Sequence, residues 1–157
     1  MSSSIFLYRV PGNITSNTLD SSEIIFDRSK SVNLYKIAEH LAVVFLNTVD
    51  PFGDVNAIPY KALYGNFVNI QKGDRVINGF IPTDEVNNIY VWMKENNLKS
   101  SDGFYKMFEG LTPMAKQELH ERGSDDKESL YTGYVQPLIQ FYSDAKENNN
   151  AVVLCGE

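Results

Sequence analysis

The sequence predicts an α+β domain that is mostly helical and has a small β-sheet including both chain ends. Segments rich in β-branched and aromatic residues stand near the two termini, at residues 5–10 and 151–155. Amphipathic helical patterns fill most of the chain between them. We therefore expect roughly 40 to 50% helix, against about a third in an average domain, with the helices packed on the sheet.

The first third of the chain predicts a strand, a polar loop and a long helix. Residues 5–10 form the strand, with both faces covered, and Pro11 and Gly12 end it. Residues 13–31 are polar and predict a loop. Residues 33–47 predict the helix, with Asn33 as its N-cap. Its apolar residues recur at helical spacing: Leu34, Ile37, Ala38, Leu41, Val44 and Phe45.

Residues 48–65, TVDPFGDVNAIPYKALYG, interrupt the helical pattern with two prolines, two glycines and two aspartates. This composition predicts a loop and then a short helix over residues 56–64, which Gly65 ends. Residues 67–70 and 75–81 predict two strands around a turn at 72–74.

The second half of the chain predicts four helices. Thr83 is the expected N-cap of the first, whose core stripe is Val86, Ile89, Tyr90 and Met93. Residues 101–109 and 112–122 predict two shorter helices, the second capped by Thr112. The last covers about 127–147, and Pro137 predicts either a kink or a helix that starts nearer to that proline.

The bulk composition excludes several function classes. The net charge is −6 and the isoelectric point about 4.9, which oppose binding to nucleic acid and to anionic membranes. No apolar run approaches the roughly 20 residues of a membrane span. The single cysteine, Cys155, excludes an internal disulfide and fits a reducing cytoplasm. The N-terminus lacks the pattern of a signal or transit peptide, and we expect a cytoplasmic protein.

No motif in the sequence carries chemistry by itself. His40 and His120 are the only histidines, eighty positions apart, and no spacing predicts a metal site. The sequence contains no nucleophile elbow, and residues 71–75 lack the pattern of a phosphate-binding loop. The acidic pair Asp84 and Glu85 is explained by a helix start. We expect no catalytic residue, no cofactor and no metal.

Three segments, in this order, resemble the YfbM-like family, a bacterial domain of unknown function. They are PYKALYG at 59–65, FIPTDEV at 80–86, and the helix at 138–145 with the strand at 151–154. The resemblance implies one domain over 1–157 with no known chemistry. One departure lies in the first long helix, where the family often has Trp and then Leu-His. Here Ala38 and then Leu41 and Ala42 stand at those places, with His40 beside them.

A compact, acidic, motif-free domain of this kind predicts a non-catalytic binding protein, and we expect an immunity protein that neutralises a cognate antibacterial toxin. Exposed acids would steer a basic partner, and aromatic residues would anchor it. The alternative is a housekeeping protein that binds a small molecule, or an undetected enzyme. A deep apolar pocket with convergent polar groups would favour this alternative. The oligomeric state stays open. The expected partner-binding residues are Asp50, Phe52, Asp54, Tyr60, Asp125 and Asp126.

Overall fold

The computed structural model describes residues 4–156 and confirms an α+β protein with 46% helix. The predicted domain of 1–157 extends beyond this part at residues 1–3 and 157. Five strands form one antiparallel sheet: β1 (Ile5–Pro11), β2 (Ser31–Tyr35), β3 (Asn66–Lys72), β4 (Arg75–Ile81) and β5 (Asn150–Gly156). Their order across the sheet is β2-β1-β5-β4-β3, which places the strands from both chain ends beside each other in the interior.

The neighbouring strands β1 and β5 are apolar on both faces, as the sequence predicts for β1. In β1, Leu7 belongs to a large core shared with the helices, whereas Phe6 and Tyr8 belong to a second core on the opposite face. β1 and β5 pair along seven positions, from Ile5 opposite Gly156 to Pro11 opposite Asn150. β-Branched residues suit this pleated, covered surface.

Six helices in the described part of the chain contribute to the large core. The structure has one of them, α6, in three consecutive parts: Lys127–Leu130, a π-helical segment Tyr131–Val135, and Gln136–Glu147. The π-segment ends just before Pro137, so the chain accommodates the proline near the start of its last regular part. The other helices are α1 (Ala38–Leu46), α2 (Ile58–Tyr64), α3 (Thr83–Glu95), α4 (Ser101–Glu109) and α5 (Pro113–Glu121).

An irregular segment covers the second face of the sheet. Ile14 and Leu19 are buried there, and Ile24 and Phe26 pack against the same core. The Phe26 ring meets Tyr8 edge-on, with centroids 5.3 Å apart. The predicted loop over residues 13–31 is therefore largely confirmed, although it ends in the short 3₁₀ turn Arg28–Lys30 and the first residue of β2.

Two predicted N-caps, Asn33 and Thr83, are wrong. Residues 33–35 belong to the strand β2 instead of starting a helix, and the Asn33 side chain accepts a hydrogen bond from the Tyr35 backbone at 2.7 Å. Tyr35 then takes a left-handed conformation, with φ of 50°, and α1 begins at Ala38. Thr83 is the first residue of α3 and makes no capping hydrogen bond; Pro82 occupies the N-cap position.

Other local predictions are confirmed. Gly65 ends α2 with φ of 65°, and its N–H donates to the Lys61 carbonyl at 2.8 Å. Thr112 caps α5 by accepting from the Ala115 backbone at 3.2 Å. The predicted core stripe of α3 is buried: Val86, Ile89, Tyr90 and Met93.

Candidate binding cleft

A cleft with a volume of about 890 Å³ opens beside α1 and α2, and residues from all five strands of the sheet contribute to its lining. One wall comes from residues 35–40, between β2 and the first turn of α1. The opposite wall comes from the loop at 52–56 and from α2 with the residues after it, 60–67. Asn78, Leu154 and Gly156 contribute from β4 and β5. The segment 48–65, which is rich in proline, glycine and aspartate, therefore contributes one wall of a concave site.

Aromatic rings dominate the wall formed by the loop and α2. The Tyr64 ring lies 4.9 Å from that of Tyr60, one helical turn earlier, and 5.6 Å from that of Phe52. The loop holds Phe52 in place through the Asp50 carboxylate, which accepts a hydrogen bond from the Phe52 backbone at 3.0 Å. Tyr35 and Phe67 add two further rings to the lining.

A glycine in β4 allows α2 to end directly against the sheet. A Cβ atom added at Gly79 would lie 2.3 Å from the Tyr64 carbonyl oxygen, which is far inside contact distance. Gly65 follows in a left-handed conformation that favours glycine, and it also lines the cleft. These two glycines position the Tyr64 end of α2 at the cleft.

His40 lies in the first turn of α1 and faces the cleft. Its Nδ1 atom is hydrogen-bonded to the hydroxyl of Ser124, which is only 7% exposed and does not line the cleft. Burial lowers the pKa of His40, and the nearby Arg122 guanidinium lowers this pKa further. The imidazole is therefore neutral near pH 7.

A charged cluster stands behind the same wall. Glu39, which lines the cleft, accepts a hydrogen bond at 2.7 Å from Nη1 of Arg122. Nε of Arg122 also lies 3.2 Å from the carboxylate of Glu118, one turn earlier in the chain. The three side chains carry one net negative charge, and Glu39 is the one of them that lines the cleft.

The Tyr64 hydroxyl is an unsatisfied polar group at this wall. Its oxygen is buried, and the part of the chain that the structure describes offers it no hydrogen-bond partner. Burial raises the pKa of Tyr64 well above the usual value, and the charge of Glu39 adds to the effect. Burial likewise raises the pKa of Tyr60. Both phenols are protonated at neutral pH, so the cleft offers them as neutral groups.

Four of the six expected partner-binding residues lie on the segment that forms the cleft wall. Phe52 and Tyr60 line the cleft. Asp50 and Asp54 are exposed on the adjoining loop, where each carboxylate accepts a backbone hydrogen bond two residues on, from Phe52 and Asn56. The predicted acids and aromatics are thus neighbours on one surface.

The other two expected residues stand apart from the cleft lining. Asp126 is the N-cap of α6 and accepts hydrogen bonds from the Glu128 and Ser129 backbones. Asp125 is bonded to His120 at 2.8 Å and is exposed. A hydrogen bond from Ser129 lowers the pKa of Asp126, and one from His120 lowers the pKa of Asp125.

Several lining residues escape prediction from the sequence. Glu39 and Tyr64 read as ordinary members of amphipathic helices, and Phe67 as a strand residue. Phe67 is 85% exposed, and it lies on the edge strand β3. Arg122 reaches Glu39 across eighty-three positions. The aromatic content of residues 60–67 is the one local signal.

Comparisons with known proteins bear on the fold alone. No family model and no curated protein matches the sequence. A solved structure does match, described as "The Crystal Structure of a Protein of Unknown Function YfbM from Escherichia coli". It covers 98% of this chain and 99% of its own, with a TM-score of 0.59 and 12% sequence identity. The fold is YfbM-like.

Two further properties of the described residues concern other function classes. They contain no group of three or more His, Cys, Asp or Glu side chains placed to hold a metal ion. None of their helices is both long and apolar enough to cross a bilayer. Cys155 is buried in β5, as expected for a small apolar side chain.

Proposed function

We propose that this protein is a non-catalytic, cytoplasmic binding protein, and that it is an immunity protein which neutralises a cognate antibacterial toxin. We also propose that its YfbM-like fold reflects kinship with the YfbM-like sequence family. The supporting observation is the rim of the cleft, by which we mean the exposed apolar side chains of Tyr35, Phe52, Val55 and Phe67. Apolar surface of this kind, gathered around a concave site, marks an interaction surface.

The exposure of the rim favours a macromolecular partner. Phe67 is 85% exposed, Tyr35 56% and Phe52 48%. A small molecule seated in the cleft would leave most of this outward-facing apolar surface in water. A protein partner would cover it, and aromatic side chains at the centre of an interface are frequent anchors of binding.

Charge favours a basic partner. Asp50 and Asp54 are exposed beside Phe52, on the loop that forms one wall of the cleft. The whole chain carries a net charge of −6. Acidic groups at the edge of an interface accelerate the approach of a positively charged partner, and this acceleration weakens as salt increases. A toxin with a basic active cleft has the required charge.

The position of Ser124 supports a non-catalytic function. A serine paired with a histidine is a familiar nucleophile arrangement, but here the serine is buried and lies outside the cleft lining. Its hydroxyl holds the His40 ring in one orientation. The pair therefore serves to position a hydrogen-bonding imidazole in the cleft wall.

The test uses the toxin encoded by a neighbouring gene and paired Asp→Asn variants. Asn keeps the side-chain oxygen that accepts each backbone hydrogen bond and removes the charge. We expect Asp50→Asn with Asp54→Asn to lower the association rate by about threefold or more at low salt, with a smaller effect at high salt. Asp125→Asn with Asp126→Asn is the second pair. A change below about twofold for both pairs would contradict the assigned surface.

The control neutralises two acids that lie outside the cleft lining, with Asp20→Asn and Asp74→Asn. It changes the net charge by the same amount, so an equal loss of rate would indicate a general effect of charge. Co-expression supplies the functional readout. The protein should restore the growth of cells that produce the toxin, and failure with every neighbouring toxin would contradict the immunity function.

Small-molecule binding is the second candidate, and the cleft itself favours it. Its volume lies within the range of ligand pockets, and it combines apolar walls with a neutral imidazole, phenols and a carboxylate. A thermal-shift screen of metabolites on the protein alone tests this function. A ligand that binds tightly and loses affinity on Tyr60→Leu would favour it over the toxin.

A further inference from the structure

The lining of the cleft has the composition of a cation-binding site. Five aromatic side chains line it: Tyr35, Phe52, Tyr60, Tyr64 and Phe67. The face of an aromatic ring carries negative electrostatic potential and attracts ammonium and guanidinium groups. Several rings around one space therefore favour an organic cation over a neutral group of the same shape.

Two carboxylates near the cleft act in the same direction. Glu39 is in the lining, and the guanidinium that pairs with it is shared with a second carboxylate, that of Glu118. His40 contributes no positive charge near pH 7, as described above. Lys36 is the only lysine or arginine in the lining among the described residues, and it is exposed to solvent.

We infer that the cleft binds an organic cation, and that this cation is a lysine or arginine side chain of the basic partner. Its charge would lie between the carboxylate of Glu39 and the rings of Phe52 and Tyr60. This inference rests on the proposed function for the source of the cation. The chemistry of the cleft, an aromatic site for a protonated amine or guanidinium, is independent of it.

The cleft is large enough for a short protein segment that carries the cationic side chain. A volume of about 890 Å³ exceeds the needs of one side chain, so neighbouring residues of the same segment would enter with it. The residues on either side of the bound side chain would then contact the exposed rim, including Phe67. Guanidinium groups also stack on aromatic faces, so arginine is the better candidate of the two.

The experiment uses the protein alone, with N-acetyl-arginine amide as the probe and calorimetry or NMR titration as the measurement. The matched neutral probe is N-acetyl-citrulline amide, which has nearly the same shape. We expect weak but measurable binding of the arginine probe and about fivefold weaker binding of the citrulline probe. Equal affinity of the two probes would overturn the inference.

Two variants with a matched control locate the cation. Glu39→Gln should weaken the arginine probe by about threefold or more, because it removes the carboxylate from the lining. Glu118→Gln removes the other partner of Arg122 but lies outside the cleft lining, so it should weaken the arginine probe less than Glu39→Gln does. Tyr60→Leu removes a ring without disturbing the ion pair and should also weaken binding. Equal effects of the two Glu→Gln variants would contradict the assigned position of the charge.

A third probe, tetramethylammonium, distinguishes the source of the cation. N-acetyl-lysine amide is measured beside it. If tetramethylammonium binds and the N-acetyl amides of arginine and lysine do not, the ligand is a free alkylammonium compound and the side-chain assignment is wrong. Failure of all cationic probes overturns the cation site and leaves the proposed toxin binding to be judged by association and growth. Absence of a toxin, with cation binding intact, would overturn the immunity function and the assigned source of the cation, leaving the cation site itself.

Discussion

Substitution of Tyr64 by phenylalanine should stabilise the protein. The Tyr64 hydroxyl is buried and has no hydrogen-bond partner among the described residues. A buried polar group without a partner loses its hydration and gains nothing in return, at a cost of about 1 to 3 kcal/mol. Phenylalanine keeps the ring, and with it the contacts to Phe52 and Tyr60. We expect Tyr64→Phe to raise the free energy of unfolding by about 1 to 2 kcal/mol.

Tyr142 provides the matched control, since it is a second buried tyrosine with the opposite expectation. Its hydroxyl donates to the Ala62 carbonyl oxygen at 2.6 Å and links α6 to α2. Tyr142→Phe deletes the same atom but breaks a buried hydrogen bond. It should therefore lower the free energy of unfolding by about 1 kcal/mol.

Urea unfolding followed by circular dichroism measures both changes, and thermal unfolding checks them. For a chain of this length, 1 kcal/mol corresponds to a shift of about 2 to 4 °C in the melting temperature. The two variants should move it in opposite directions. If Tyr64→Phe destabilises the protein by more than about 0.5 kcal/mol, the hydroxyl already has a favourable partner, such as a bound water, and the reasoning fails.

Three further predictions concern the core, the close approach at β4 and the pH dependence. Leu41 is fully buried in α1, so Leu41→Ala should cost about 2 to 5 kcal/mol in chemical unfolding, and a loss below about 0.5 kcal/mol would contradict its place in the core. Gly79→Ala forces a Cβ atom against the Tyr64 carbonyl and should cost about 1 to 3 kcal/mol, whereas Gly133→Ala, with nothing within 4 Å, should be neutral or stabilising. Because the pKa of His40 is lowered in the folded state, the unfolded chain takes up this proton first as pH falls. Stability should therefore decline below about pH 6.5, and His40→Gln should reduce the decline in melting temperature between pH 7.5 and 5.5; an unchanged pH profile would contradict this role.

The sequence predicts those features that depend on neighbouring residues. The period of the apolar residues in α3 identifies its buried stripe, and the glycine at 73 identifies the turn between β3 and β4, where its φ is 64°. A valine-rich C-terminal segment predicts β5. Each of these features is set by backbone preferences and burial patterns within about ten residues of the chain, and a single sequence contains that information.

The start of α1 shows where local pattern fails. Leu34 fits a helical stripe with Ile37 and Leu41, but it also fits a strand with Val32, two residues earlier. The structure places Val32 and Leu34 in a strand because β1 is available to pair with it, with Leu7 opposite Val32. A helix and a strand would both bury Leu34, and only the pairing of this segment with β1 decides between the two.

The cleft is decided almost entirely by tertiary structure. The loop with Phe52 and the aromatic end of α2 can be found in the sequence as one segment. The opposite wall comes from residues 35–40, and its Glu39 carboxylate pairs with Arg122, far along the chain. The sequence by itself determined the class of the fold, most helices and strands, and the acidic character of the surface. Only the folded chain decided which side chains share a cavity, because an amphipathic pattern records that a face is buried and carries no record of which partner buries it.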